Sequence, residues 1–264
     1  MPTLSLLQYL LGAAAGSLVG FTLGLVGGGG SILAVPLMVY LVGVDNPHIA
    51  IGTSALAVAA NAAANLLNHA RRGNVKWPCA SVFAVVGVIG AFFGSSLGKA
   101  FDGQKLLVLF SLLMLVVAAL MVRGRGSEGD ASVALGPGNA PRLAAFGGLA
   151  GALSGFFGIG GGFLIVPGLM AATRMPILFA VGSSLVAVTA FGLTTALNYA
   201  RSGLVDWMLA LVFIAGGIGG GLLGALLATR LSRSQGLLNL VSATMIGATA
   251  LYMLYRSLGA LGVI

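Results

Sequence analysis

Hydrophobic positions run in long blocks, at about 4–26, 31–44, 48–68, 79–99 and 105–122, then 143–158, 163–173, 177–199, 206–229 and 236–255. Blocks near 20 residues match a helix that crosses about 30 Å of hydrocarbon, so the pattern predicts an all-α membrane protein. Two blocks, 31–44 and 163–173, are too short to cross comfortably and each follows a glycine run. Between the two sets lies RGRGSEGDASVALGPGNAPR, residues 123–142, where Gly, Pro, Ser and two of the five acids collect. It reads as a surface linker between a first transmembrane repeat, 1–122, and a second, 143–264.

The two sets resemble each other. GLVGGGGSILAVPLM, 24–38, aligns with GFFGIGGGFLIVPGLM, 155–170, placing Gly27, Gly29, Gly30 and Pro36 on Gly158, Gly160, Gly161 and Pro167. After one lost residue, Gly52, Ser54, Asn68, Arg71, Gly73 and Trp77 fall on Gly182, Ser184, Asn198, Arg201, Gly203 and Trp207. Shared composition does not produce such a register, which points to an internal duplication. Each half is then a Gly-rich broken-helix hairpin followed by three spanning helices.

Charge sets the orientation. If each hairpin enters and leaves on one side, Arg71, Arg72, Lys76, Arg123, Arg125, Arg142, Arg174, Arg230 and Arg233 share a face against Lys99, Lys105, Arg201 and Arg256. If the pair makes one crossing, the split is eight to five. The stronger bias favours inverted repeats with the basic face cytoplasmic.

Composition narrows the function. Hydrophobic side chains make up 58% and charged ones 7%, which excludes a water-soluble enzyme and a disordered tail. The net charge of +8 sits between apolar blocks, so it marks loops rather than a nucleic-acid surface. Cys79 stands alone and His48 and His69 lie far apart, so neither a disulfide nor a metal site is expected, and no cofactor is implied. The first basic residue is Arg71, so the apolar start reads as a retained helix rather than a signal peptide.

The 43 glycines divide into two populations. Gly12, Gly16, Gly20 and Gly24, like Gly147, Gly151 and Gly155, recur every four residues and read as helix-packing faces. Gly27, Gly28, Gly29 and Gly30 before Ser31 and Pro36, and Gly158, Gly160, Gly161 and Gly162 before Pro167, read instead as helix breaks. Matched breaks in two repeats point to a binding site, and helices starting near Ser31 and Phe163 would aim free N–H groups at a small anion. The plainer alternative is that these glycines also serve close packing.

A polar stripe runs along the third block of each half. Ser54, Asn61, Asn65 and Asn68 fall within an arc of about 60° at helical spacing. Ser184, Thr195 and Asn198 repeat it, with Phe191 in place of Asn61. These neutral donors suit an oxyanion, or else hold helices together. His69 and Tyr199, beside Arg71 and Arg201, flank the stripe as candidates for gating or coupling, and His69 is the titrating group through which protons would couple. Interfacial anchoring is the alternative for all four.

The glycine motifs, with GTS followed by NHARRGNVKW and the echoes GFFGIGGGFLIVP and NYARSGLVDW, resemble the TauE/SafE family of sulfite-exporter-like membrane proteins. The resemblance implies a multi-pass plasma-membrane carrier for sulfite, thiosulfate or a sulfonate such as sulfoacetate. It also implies that the family's glycine motifs and basic turns fall on the residues named above, with Tyr199 departing from His69. The expected partners are that anion and the lipid bilayer, and the Gly-x-x-x-Gly faces permit a homodimer. A membrane scaffold, whose polar stripe only joins helices, is the rival reading.

Overall fold

The structure, a computed structural model, describes residues 4–123, 130, 133–160, 162–231 and 235–260. Ten α-helices follow in order among these residues: α1 (Leu6–Val26), α2 (Ala34–Pro36), α3 (Pro47–Arg71), α4 (Trp77–Ala100), α5 (Gly103–Arg123), α6 (Ala140–Phe157), α7 (Gly162–Thr173), α8 (Ile177–Ala200), α9 (Trp207–Leu231) and α10 (Gln235–Ala260). There is no strand among the described residues. Among the described residues five helices are long and apolar enough to cross a bilayer: α1, α3, α4, α8 and α9.

The starts and stops follow local chemistry. Asn46 caps α3, its side chain accepting from the His48 N–H at 2.9 Å, and Pro47 occupies the first turn, where its missing donor costs nothing. The turns after α3 and α8 each carry a glycine at positive φ, Gly73 at 71° and Gly203 at 70°. A side chain at either position would strain the turn. α6 begins at Ala140, within the stretch expected to be linker.

At the centre α3 and α8 run antiparallel. The chain after α3 docks on the start of α8, where the Lys76 N–H donates to Ser183 Oγ at 2.9 Å. The chain after α8 docks on the start of α3 in the same way, the Asp206 N–H donating to Thr53 Oγ1 at 2.9 Å. Gly52 and Gly182 make room for these loops: a Cβ on either would meet the carbonyl of Leu204 or of Asn74. α3 is the most enclosed span, 67% buried against 50% for α8 and 39% for α1 and α4, so the core is centred on this pair.

Around it, α1 lies along α9 and α4 along α6. Both contacts are parallel and both are built on the four-residue glycine ladders. A Cβ on Gly16 or Gly20 would meet the carbonyl of Phe213 or Gly217; one on Gly147, Gly151 or Gly155 would meet that of Phe83, Gly87 or Ala91. Without those side chains the backbones come into contact, the source of helix cohesion where lipid removes any hydrophobic drive. The outward faces are apolar, as with Val85, Ile89, Phe93 and Leu97 along α4, and offer acyl chains a matching surface. α5 and α10 form a separate peripheral antiparallel pair.

The first hairpin departs from the helix expected to start near Ser31. Gly27–Leu33 forms a 3-10 run, α2 is three residues long, and Leu37–Leu41 makes a π turn. Four glycines cannot sustain an α-helix, and the Pro36 ring crowds the carbonyl four residues back, which a wider turn relieves. The hairpin enters and leaves on one side, since Gln8 Nε2 donates to the Val42 carbonyl at 3.2 Å.

Candidate functional site

The two glycine breaks, far apart in sequence, meet in the fold. The 3-10 run Gly27–Leu33 packs against both α7 and α8. Gly30 turns back on its own helix, where a Cβ would strike the backbone at Thr22 and Leu23. Ser31 beside it is fully buried. On the other side α6 ends in a left-handed glycine cap: Gly158, at φ 69°, donates to the Gly155 carbonyl at 3.2 Å, and Ile159 N–H reaches Ser154 O at 3.3 Å. These bonds occupy the last carbonyls of α6. The first-turn N–H groups of α7, which begins at Gly162, have no partner within the helix. Gly161 lies outside the described residues.

Gly160 marks the depth of this break. Its φ is 65°, and a Cβ there would sit 2.9 Å from Val58 Cγ1 and 3.3 Å from Val188 Cγ1. Val58 and Val188 are the middles of α3 and α8, so the break lies halfway along the central pair. Pro167 does not end a helix: α7 runs through it to Thr173, and the interruption falls on the glycines alone. Pro36 is buried and closes α2.

The polar stripe follows the α3–α8 contact rather than gathering at one point, because the antiparallel pairing sends its ends to opposite faces. Ser54 and Ser184 are fully buried and bond within their own helices, to the carbonyls of Ile51 at 3.1 Å and Val181 at 2.8 Å. Asn65 Nδ2 donates to the Asn61 carbonyl at 3.0 Å. Thr195 Oγ1 is buried with no hydrogen-bond partner, and so are both polar atoms of the Asn61 amide, which rests on the bare backbone of Gly217. Asn68 is half-buried near the end of α3.

Asn198 is fully engaged by α4. Its Nδ2 donates to Ser95 Oγ at 2.7 Å and Ser96 Oγ at 2.9 Å, while Lys99 Nζ donates to its Oδ1 at 2.8 Å and its carbonyl at 3.0 Å. Lys99 also reaches Ser202 Oγ at 2.9 Å. Sequence reasoning missed Ser95, Ser96, Lys99 and Ser202. For the first three the signal available was the i, i+3 and i, i+4 spacing on α4, which puts two hydroxyls and an ammonium on one side of an apolar helix; Ser202, in the turn after α8, gave none.

His69, Arg71, Tyr199 and Arg201 are not brought together. His69 and exposed Arg71 end α3 on one face, and Tyr199 and exposed Arg201 end α8 on the other. Tyr199 is wholly buried, its hydroxyl without a partner and its ring 6.3 Å from that of His48 and 5.9 Å below Lys99 Nζ. Trp77 and Trp207 are exposed at the starts of α4 and α9, as interface anchors are. No group of three or more His, Cys, Asp or Glu side chains gathers among the described residues.

Apolar helices of bilayer length, close glycine contacts and a hairpin break at mid-depth define a multi-pass helical membrane protein of the transporter type. The family model described as "Sulfite exporter TauE/SafE" matches residues 12–253, and the chain belongs to that family. It is 59% identical over 246 residues to a "Probable membrane transporter protein" of Xylella fastidiosa (strain 9a5c), covering 92% of this chain and 94% of the relative. It is 26% identical to "Probable membrane transporter protein YunE" of Bacillus subtilis (strain 168), over 83% of this chain and 88% of the relative. No solved structure matches. The chain is a membrane transporter, not an enzyme.

Proposed function

We propose that the protein is a secondary carrier that moves a small sulfur-containing anion across the plasma membrane by alternating access. The substrate would be sulfite, thiosulfate or a sulfonate such as sulfoacetate, and the family description supports this class. The anion would sit where the breaks meet, beside Gly27–Ser31, Gly158, Gly160 and Gly162, held by the first-turn N–H groups of α7, with Ser54, Asn65, Asn68, Ser184, Thr195 and Asn198 as neutral donors along the path. Ser54, Ser184 and Asn198 would exchange their present bonds for the substrate as the halves rock. No full charge is needed in such a site, since oriented dipoles suffice in a low dielectric.

The observation that carries this reading is the packing of the 3-10 run on α7 and α8, next to a second break whose Gly160 lies level with Val58 and Val188. Two inverted repeats, 1–122 and 143–264 around the linker 123–142, are supported by the reciprocal docking of Lys76 on Ser183 and Asp206 on Thr53. Such reciprocity is what a two-fold axis across the helices, the mark of inverted topology, would produce. The hairpin geometry favours the nine-residue basic face as cytoplasmic. Proton coupling would use His69.

Purified protein in liposomes should give saturable flux of labelled sulfite, thiosulfate or sulfoacetate. Gly160→Ala, whose methyl enters between Val58 and Val188, should lower that flux about tenfold, equivalent to about 1.4 kcal/mol of lost binding. A protein that is folded by thermal melt and carries none of the three anions would overturn the proposal.

A further inference from the structure

A cavity lies away from the breaks, on the face where the first hairpin exits. It measures about 660 Å³ and opens between the end of that hairpin, the start of α5 and the last turns of α10. Its lining includes Tyr40, Asp45, Gln104, Tyr255 and Arg256. Tyr40 braces one wall, with its hydroxyl 2.8 Å from Ser257 Oγ and its ring edge-on to Tyr252 at 5.5 Å.

Two features point to a ligand. First, the exposed side chains of Asp45 and Arg256 carry opposite charges and line one cavity, yet neither side chain bonds the other or any described residue. The Gln104 amide is also without a described partner. A carboxylate and a guanidinium sharing a cavity without closing on each other leave room for a molecule that answers both. Second, the cavity borders the lipid-facing flank of α10, where Leu251, Tyr252 and Tyr255 are 60%, 51% and 69% exposed. Tyrosines in that setting mark the headgroup level of a bilayer.

We propose that this cavity binds a phosphate–ammonium zwitterion, supplied at the membrane surface by phosphatidylethanolamine. Arg256 takes the phosphate through its planar fork of donors, Asp45 takes the ammonium, and Gln104 donates to an ester oxygen. An anionic headgroup satisfies Arg256 but meets the Asp45 carboxylate, so balanced charge is the selective feature. Because Tyr40 belongs to the π turn of the broken hairpin, the bound headgroup braces the arm that leads to the substrate break.

Native mass spectrometry of the full chain tests this with phosphatidylethanolamine and phosphatidylglycerol offered at equal concentration. The wild type should retain phosphatidylethanolamine about fivefold better, the effect of roughly one interfacial charge. Arg256→Gln should reduce both lipids to one low level. Asp45→Asn should raise phosphatidylglycerol to at least the level of phosphatidylethanolamine, a reversal that general loss of structure does not produce. Glycerophosphoethanolamine, the same headgroup without acyl chains, identifies the source: no displacement of the lipid assigns the site to the membrane, and displacement at equal concentration assigns it to a soluble zwitterion. Equal retention of the two lipids by the wild type, or an unchanged preference in both variants, overturns the proposal.

Discussion

The α4–α8 and α3–α9 contacts use the same device and fill it differently. In each, a glycine on the outer helix leaves a gap that a side chain from the central helix enters. At Gly87 the occupant is Phe191, whose ring stacks on Phe83 with centroids 6.4 Å apart. At Gly217 the occupant is Asn61, whose amide finds no partner. Further along, α8 is pinned to α4 through Asn198, Ser95, Ser96 and Lys99, whereas Asn65 on α3 bonds only within its own helix. One contact is pinned by hydrogen bonds between side chains; among the described residues the other shows unpaired polar groups and no such bond. Unpaired buried groups lower the cost of separation, because water or a ligand recovers what packing leaves unsatisfied. The α3–α9 contact is therefore the easier of the two to open.

Substitutions that exchange these characters should show the difference as melting shifts in detergent. Phe191→Asn, which removes the aromatic stack and buries a second unpaired amide, should be the most damaging, at about 4 kcal/mol. Gly151→Ala puts a methyl against the Gly87 carbonyl and forces α6 from α4, for a loss of about 3 kcal/mol. Asn198→Ala should cost about 2 kcal/mol by leaving the Lys99 ammonium short of acceptors, and Lys99→Met in the same background should recover part of it. Asn61→Leu should move the other way, raising stability by about 1 kcal/mol while slowing anion flux. Equal melting changes for Phe191→Asn and Asn61→Leu would show that the two contacts do not differ.

Much of the frame was legible because it rests on local periodicity. The glycine ladders of α1 and α6 stand at intervals of four, so their packing role followed from helical geometry before any partner was known. Their partners did not: that Gly16 meets Phe213 and Gly151 meets Gly87 depends on how distant segments dock. The broken hairpins were visible as glycine runs, but the 3-10 and π geometry after Gly27 reflects the competition between Pro36 and four glycines, which composition alone does not resolve. The stripe on α3 and α8 was visible too. What it touches was not, since Asn198 spends its amide on Ser95 and Ser96, about a hundred residues away.

The parallel clasp of α1 by α9 has a consequence for how the protein is made. α1 leaves the ribosome roughly 180 residues before α9 begins, which at 5–20 residues per second is an interval of about 10–40 s. Throughout that time its glycine-lined face has no protein surface to meet, and the early half of the chain cannot complete its own packing. Assembly of the nascent protein is thus a delayed closure. A helix inserted well before its partner is among the last to be secured, and any factor that shields small-residue faces in the bilayer would act on α1 during this window.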